Sequence, residues 1–303
     1  MKAQENRRVR KAVITAAGFG TRMFPASKMI KKEFFPIVDA EGIAKPVIQV
    51  VVEEAINAGI EEVGIIVQSG DRSLFEDYFQ GSPKPEFWRK LSPSSRDYSH
   101  YLQTLGERIT ILTQEQQEGF GHAVFCAAPW VHDEPFMLLL GDHVYASDLE
   151  VNCARQLLEV YEKVQQSVIG VRITPGDRIQ HYGCVAGTPV KDSDYLFDLT
   201  EIYEKPTLNY ARTNMRVPGL EWDRFLTIFG LYIIEPKIFD LLADNIRHDV
   251  REKGEYQLTS CLQTLLEKEQ ITGYLVPGRC FDTGLPETYF KTLVEFRNIK
   301  TKS

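Results

Sequence analysis

Residues 11–22 read KAVITAAGFGTR, and this stretch decides the fold. Lys11–Ala16 is a short apolar run of strand formers, and Ala17-Gly18-Phe19-Gly20 ends it, so a strand delivers the chain into a glycine loop. Glycines directly after a strand let backbone N–H groups come close to an anion. Arg22 adds a planar cation. Over residues 22–32 the chain carries Arg22, Lys28, Lys31 and Lys32, four cations with no acid between them. A plain turn followed by a solvated basic face is the bland alternative. Glycines, Thr21-Arg22 and a spaced Lys32 together favour a phosphate cradle. Two standard phosphate motifs are absent: no Gly-Lys pair completes a Walker A loop, and Met23 stands where a dinucleotide fingerprint needs its third glycine. Asp39 does fall about where a ribose-binding acid would stand, which keeps a nicotinamide-dependent oxidoreductase open as an alternative.

Outward from this loop, Pro46 opens an apolar-periodic stretch (Val47, Ile48, Val51, Val52, Ala55, Ile56) that predicts a helix closed by Gly59. Glu62–Gln68 reads as a second strand, and Asp71 as the cap of a helix reaching Phe79. Residues 80–107, rich in Pro, Ser and Lys with weak periodicity, are expected to form an exposed excursion. Ile109–Leu112 predicts a third strand and His122–Ala128 a helix. Pro135–Leu140 (PFMLLL) is an almost purely apolar strand, the kind a parallel sheet buries between helices. Alternation of this kind predicts a doubly wound α/β sheet. In the second half, strand-like runs at Ser167–Ile173, Gly183–Ala186, Leu199–Glu204 and Leu226–Ile234 suggest antiparallel additions. Residues 208–224 read as a polar loop, and Gln257–Glu267 and Pro286–Asn298 as closing helices.

The 303 residues carry 35 Lys+Arg against 42 Asp+Glu, a net charge of −7, which argues against a general nucleic-acid binder. Residues 1–45 are the exception, with ten Lys/Arg and four Asp/Glu. No apolar run has the length of a membrane span, and the amino terminus lacks the apolar region of an export signal. A cytoplasmic protein is expected. Five scattered cysteines without a C-x-x-C pattern read as free thiols.

Gly141-Asp142 closes the most apolar strand, at the strand end where open α/β sheets bind ligands. A carboxylate there suits Mg²⁺, which prefers hard oxygen ligands, and Asp282 in FDTG is the candidate second acid. Turn-capping roles are the plainer reading of both. In Glu204-Lys205-Pro206, Lys205 is placed to meet a second phosphate. Gln114 offers an amide able to pair with a base edge, and Gly119 room for a flat ring. His122 reads as structural, and no histidine has the partners of a hydrolase triad.

Taken in order, AAGFGTRMFPASK, KEFFPIVD, EGFGHAV, GD, YG, EKP, GEYQLT and DTG closely resemble the bacterial UTP–glucose-1-phosphate uridylyltransferases, or UDP-glucose pyrophosphorylases, of the sugar-nucleotidyltransferase superfamily. The resemblance implies a Rossmann-like, doubly wound mixed sheet of the nucleotide-diphospho-sugar transferase type. It spans one nucleotidyltransferase domain, residues 9–298, with a nucleotide-binding half (about 9–145) and a sugar-binding half (about 146–298). It implies that Ala17, Gly18, Gly20 and Thr21 cradle the nucleotide, that Gln114 and Gly119 face uracil, and that Arg22 and Lys32 hold the triphosphate. It further implies that Asp142 and Asp282 bind Mg²⁺, that Gly183 and Glu204 contact the sugar, and that Lys205 meets its phosphate. UTP and glucose 1-phosphate are the implied ligands, and a homo-oligomer the implied assembly. Three departures stand out: Lys31 where the family has Pro, about five inserted residues at Ala40–Ala44, and Gly141-Asp142-His143, which looks more like the thymidylyl and adenylyl branches. They leave dTTP, CTP or ATP, and other sugars, as alternatives. Some family members are regulatory paralogues lacking the Thr-Arg pair; Thr21-Arg22 is intact here, so activity is expected.

Overall fold

The computed structural model describes residues 7–298. Residues 1–6, on which part of the expectation about export rests, lie outside this range. Nine strands make the main sheet: β1 (Lys11–Thr15), β2 (Glu62–Gln68), β3 (Ile109–Gln114), β4 (Phe136–Leu140), β5 (Val168–Pro175), β6 (Gly183–Pro189), β7 (Leu196–Glu204), β8 (Arg224–Ile234) and β9 (Thr272–Leu275). Their spatial order is β3-β2-β1-β4-β8-β5-β9-β7-β6. The first four pair in parallel, and β8 then enters antiparallel between β4 and β5. The sheet is therefore mixed, and it runs across both halves of the chain.

Period-two alternation assigns each strand to two cores. Ala12 and Ile14 of β1 and Met137 and Leu139 of β4 join one apolar cluster, and Val13, Phe136 and Leu138 join the other. Helices Val47–Asn57 and Cys153–Val164 cover the first face, and helices Phe120–Phe125, Ile238–Arg247 and Leu258–Leu266 the second. This two-sided burial is why PFMLLL has no polar position before its carboxyl end. Among the described residues, no helix is long and apolar enough to cross a membrane. The five cysteines are free.

Three expectations need correction, and one alternative closes. Residues 80–107 hold helices Pro85–Trp88 and Pro93–Gly106; Ser92 caps the second by accepting from the Ser95 N–H at 3.1 Å, and Pro93 fits its first turn. The segment is largely exposed, but Leu105 anchors it in the core. Residues 208–224 are not all loop: Thr207 caps helix Leu208–Asn214, which buries Ala211. Asp71 makes no side-chain cap and instead pairs with Lys31 at 2.8 Å. Asp39 is no ribose-binding acid. It closes the hairpin Pro36–Val38/Ala44–Pro46, accepting from Glu41 and Ile43 N–H groups at 3.0 and 2.8 Å and pairing with Lys45 at 2.8 Å. The inserted residues 40–44 belong to this hairpin.

Candidate active site

Thr15 and Leu140 lie side by side at the carboxyl ends of β1 and β4. The glycine loop and Gly141-Asp142 therefore leave the sheet together. The Gly141 N–H donates to the Thr15 carbonyl at 3.0 Å, and a Cβ on residue 141 would stand 2.7 Å from that oxygen, so only glycine permits this approach. The loop is held from two sides. Gln68 donates to the Ala17 carbonyl at 2.8 Å, and Lys31 donates to the Gly18 carbonyl at 3.1 Å. Lys31 thus ties the loop down. Gly20 adopts φ 67° and opens the one-turn helix Thr21–Met23 that carries Arg22.

Asp282 arrives from the other end of the chain. Strand Gly278–Asp282 pairs antiparallel with His143–Ser147, setting Asp282 opposite His143. Thr283, fully buried, fixes the junction: its N–H and its hydroxyl both donate to the Asp142 carbonyl at 2.8 Å. Asp142, His143 and Asp282 each offer a ligand atom within 4.8 Å of the others. A side chain at Gly284 would reach Asp142 Oδ2 at 2.8 Å, Asp282 Oδ1 at 3.0 Å and an Arg22 guanidinium nitrogen at 3.2 Å. Two carboxylates and a cation thus converge on space that only a glycine leaves open.

Lys32, largely but not fully buried, lies beside this point and ion-pairs with Asp142 Oδ2, while Asp142 Oδ1 receives His143 Nδ1 at 2.9 Å. Burial would raise the Asp142 carboxyl, but the Lys32 ammonium and His143 hold it well below the usual carboxylate range. Burial likewise works against the Lys32 charge, and Asp142 and Glu33 restore it. Glu33 lies 3.5 Å from Lys32 with both carboxylate oxygens lacking a hydrogen-bond partner, and burial pushes it up to about 7.

Two cavities meet here. One, of about 450 Å³, is lined by Ala17, Gly18, Thr21, Arg22, Lys32, Gln114, Gly119 and Asp142. The second, of about 330 Å³, is lined by Gly183, Glu204, Lys205 and Asp282, with Arg22 and Asp142 shared. The sequence candidates are thereby divided into a glycine-loop side and a β6–β7 side. Gly20 is not among the wall residues, and its φ of 67° turns the loop toward Arg22. Gln114 is buried, and its amide nitrogen donates to the Gly119 carbonyl at 3.2 Å and lies 2.9 Å from His122 Nδ1, which also stands 3.0 Å from the Gln116 carbonyl. Gly119 has φ 112°, and a Cβ there would come within 2.6 Å of Glu255. On the other side, Glu204 accepts from the Thr259 hydroxyl at 2.8 Å and faces Lys205 at 3.2 Å. Lys205 adopts φ 49°, a left-handed conformation for a non-glycine residue.

Several lining residues escaped the sequence reading: His143, Arg172, His181, Glu255, Gln257 and Thr259. Glu255, Gln257 and Thr259 lie within GEYQLT, so that segment carried a signal for them. His143 was visible only as the neighbour of Asp142.

The nucleotidyl transferase family profile matches residues 11–298. The UTP–glucose-1-phosphate uridylyltransferase of Bacillus subtilis is 35% identical over 295 residues, covering 96% of this chain and 91% of that relative. A second such enzyme, from Staphylococcus saprophyticus, is 35% identical over 96% of this chain and 92% of its own length. Among solved structures, a UDP-glucose pyrophosphorylase complexed with UDP-glucose superposes with a TM-score of 0.79 at 28% identity, over 96% of this chain and 100% of that one. A UTP-bound enzyme from Acinetobacter baumannii gives 0.78 at 28% identity, over 97% and 95%. With its glycine loop, paired acids and two cavities along one sheet edge, the chain belongs to the nucleotidyl transferase family, among the UTP–glucose-1-phosphate uridylyltransferases.

Proposed function

We propose that this chain transfers the uridylyl group of UTP to glucose 1-phosphate, forming UDP-glucose and pyrophosphate, and that residues 9–298 act as one unit in doing so. The observation that carries the reading is the convergence of Arg22, Asp142 and Asp282 around Gly284, at the seam of two adjoining cavities. The relatives crystallised with UTP and with UDP-glucose support it.

In this reading a phosphate oxygen of glucose 1-phosphate attacks the α-phosphorus of UTP in line, and the bond to the β-phosphate oxygen breaks as pyrophosphate leaves. No general base is needed, since a phosphate monoester with a second pKa of roughly 6 is largely ionised at neutral pH. The protein's task is placement and charge control. Arg22 neutralises charge growing on the leaving pyrophosphate. Lys32 is held at the seam by Asp142 and adds positive potential there. Lys205, half exposed, orients the attacking phosphate, while Gly183 and Glu204 border the sugar. The residues fit a magnesium ion: Asp142 and Asp282 provide hard oxygen donors close together, and both would hold it. When bound, the ion supplies charge neutralisation to the phosphates of both substrates.

Pyrophosphate release from UTP, dTTP, CTP, ATP and GTP, each against several sugar 1-phosphates, tests the assignment. UTP with glucose 1-phosphate should give the highest kcat/KM. Preference for another pair would reassign base or sugar, and no release from any pair would refute the enzyme.

A further inference from the structure

A third cavity, of about 400 Å³, lies behind Asp282, between the end of β5, the turn Gly176–His181, strand Gly278–Asp282 and helix Pro286–Glu295. Four of its wall residues are cations, Arg172, Arg178, Arg279 and Lys291, against two acids, Asp282 and Glu295. Glu295 is shared loosely, 3.7 Å from both Arg279 and Lys291. Among the described residues, Arg172 and Arg178 form no ion pair, and Arg172 Nε is buried without a hydrogen-bond partner. The Arg172 guanidinium is fixed face-on to the Tyr182 ring, 4.4 Å from its centre, so it cannot simply swing into water.

A buried donor without an acceptor is costly, and uncompensated cations around one cavity attract an anion able to accept from several of them. We propose that this cavity is a second anion site, taking a phosphate or phosphate-monoester dianion between Arg172, Arg178, Arg279 and Lys291. Arg172, Tyr182 and Asp282 line both this cavity and the one beside Lys205, so the two adjoin; the phosphates of the proposed reaction are assigned to Arg22, Lys32 and Lys205, and the inference rests on that assignment but not on which nucleotide or sugar is used there.

The test titrates inorganic phosphate, and separately glycerol 3-phosphate, into the full-length protein by calorimetry, with and without saturating UDP-glucose. With UDP-glucose filling the catalytic cleft, one saturable site should remain. Arg178→Ala and Lys291→Ala, both at exposed side chains, should each weaken it about tenfold, with unfolding temperature unchanged. The probe that binds more tightly identifies the source as free phosphate or a monoester. Loss of all saturable binding under saturating UDP-glucose would assign the anion to the catalytic cleft and overturn the proposal. So would unchanged affinity in both variants, or no saturable binding.

Discussion

The cleft contains two lysine–carboxylate pairs in opposite settings. Lys32 and Asp142 are each 12% exposed, whereas Lys205 is 51% and Glu204 23% exposed. A buried pair holds its charges in one place, since removing either partner strands the other in a poor solvent. A half-exposed pair exchanges its partner for water or substrate at little cost. The first suits a fixed potential at the reacting centre, and the second a ligand that must arrive and leave.

The largest expected effect follows from breaking the buried pair. Lys32→Ala should destabilise the fold by about 3 kcal/mol or more in urea unfolding, and pairing Lys32→Met with Asp142→Leu should recover most of that loss. Equal losses in the single and double variants would erase the contrast. Arg22, exposed and near the same seam, tests charge without burial. Arg22→Ala should lose about a hundredfold or more in turnover, some 2.7 kcal/mol at the transition state, with stability unchanged.

Glu54 offers a third setting, a carboxyl with no cation paired to it among the described residues. Burial raises it to about 7 from an ordinary 4.5, against the Ala154 N–H that it accepts at 2.8 Å. A raised acid stabilises the fold fully below about pH 4.5 and loses that contribution as pH rises through about 7. Glu54→Gln keeps the acceptor and removes the charge, so it should gain about 1–3 kcal/mol over the wild type at pH 8 and nothing near pH 4.5. A gain independent of pH would show that ionisation is not the cause. The smallest effect belongs to the loose pair. Lys205→Ala should leave the unfolding temperature unchanged and raise KM for glucose 1-phosphate about tenfold, leaving KM for UTP alone.

The same division explains what could be read from the sequence. β1, its glycine loop and β4 are local: strand formers, a glycine break and an apolar run followed by Gly141-Asp142 identify themselves. Asp142 and Asp282 were visible as residues, but their meeting depends on a two-stranded ribbon whose partners are about 140 positions apart. Nothing local encodes the doubled Thr283 bond to Asp142 either. Helix Pro93–Gly106 was missed because it is mostly polar and exposed, so its cap at Ser92 outweighed its weak periodicity. Asp71 was misread, and Asp39 left an alternative open, because an acid's spacing from a motif says nothing about which cation the fold sets beside it; Lys31 and Lys45 claimed them. Gln114 was legible as an amide able to pair with a base edge, and only the folded loop shows that it also donates to the Gly119 carbonyl.

The central claim is that one cleft joins UTP to glucose 1-phosphate with Arg22, Asp142 and Asp282 at its seam. Its most direct test is the pyrophosphate released from these two substrates with Mg²⁺, by wild type and by Asp282→Asn. Pyrophosphate in amounts equal to UDP-glucose, dependent on both substrates and reduced at least a hundredfold in the variant, is the predicted result. Undiminished release by Asp282→Asn, or none by the wild type, would contradict it.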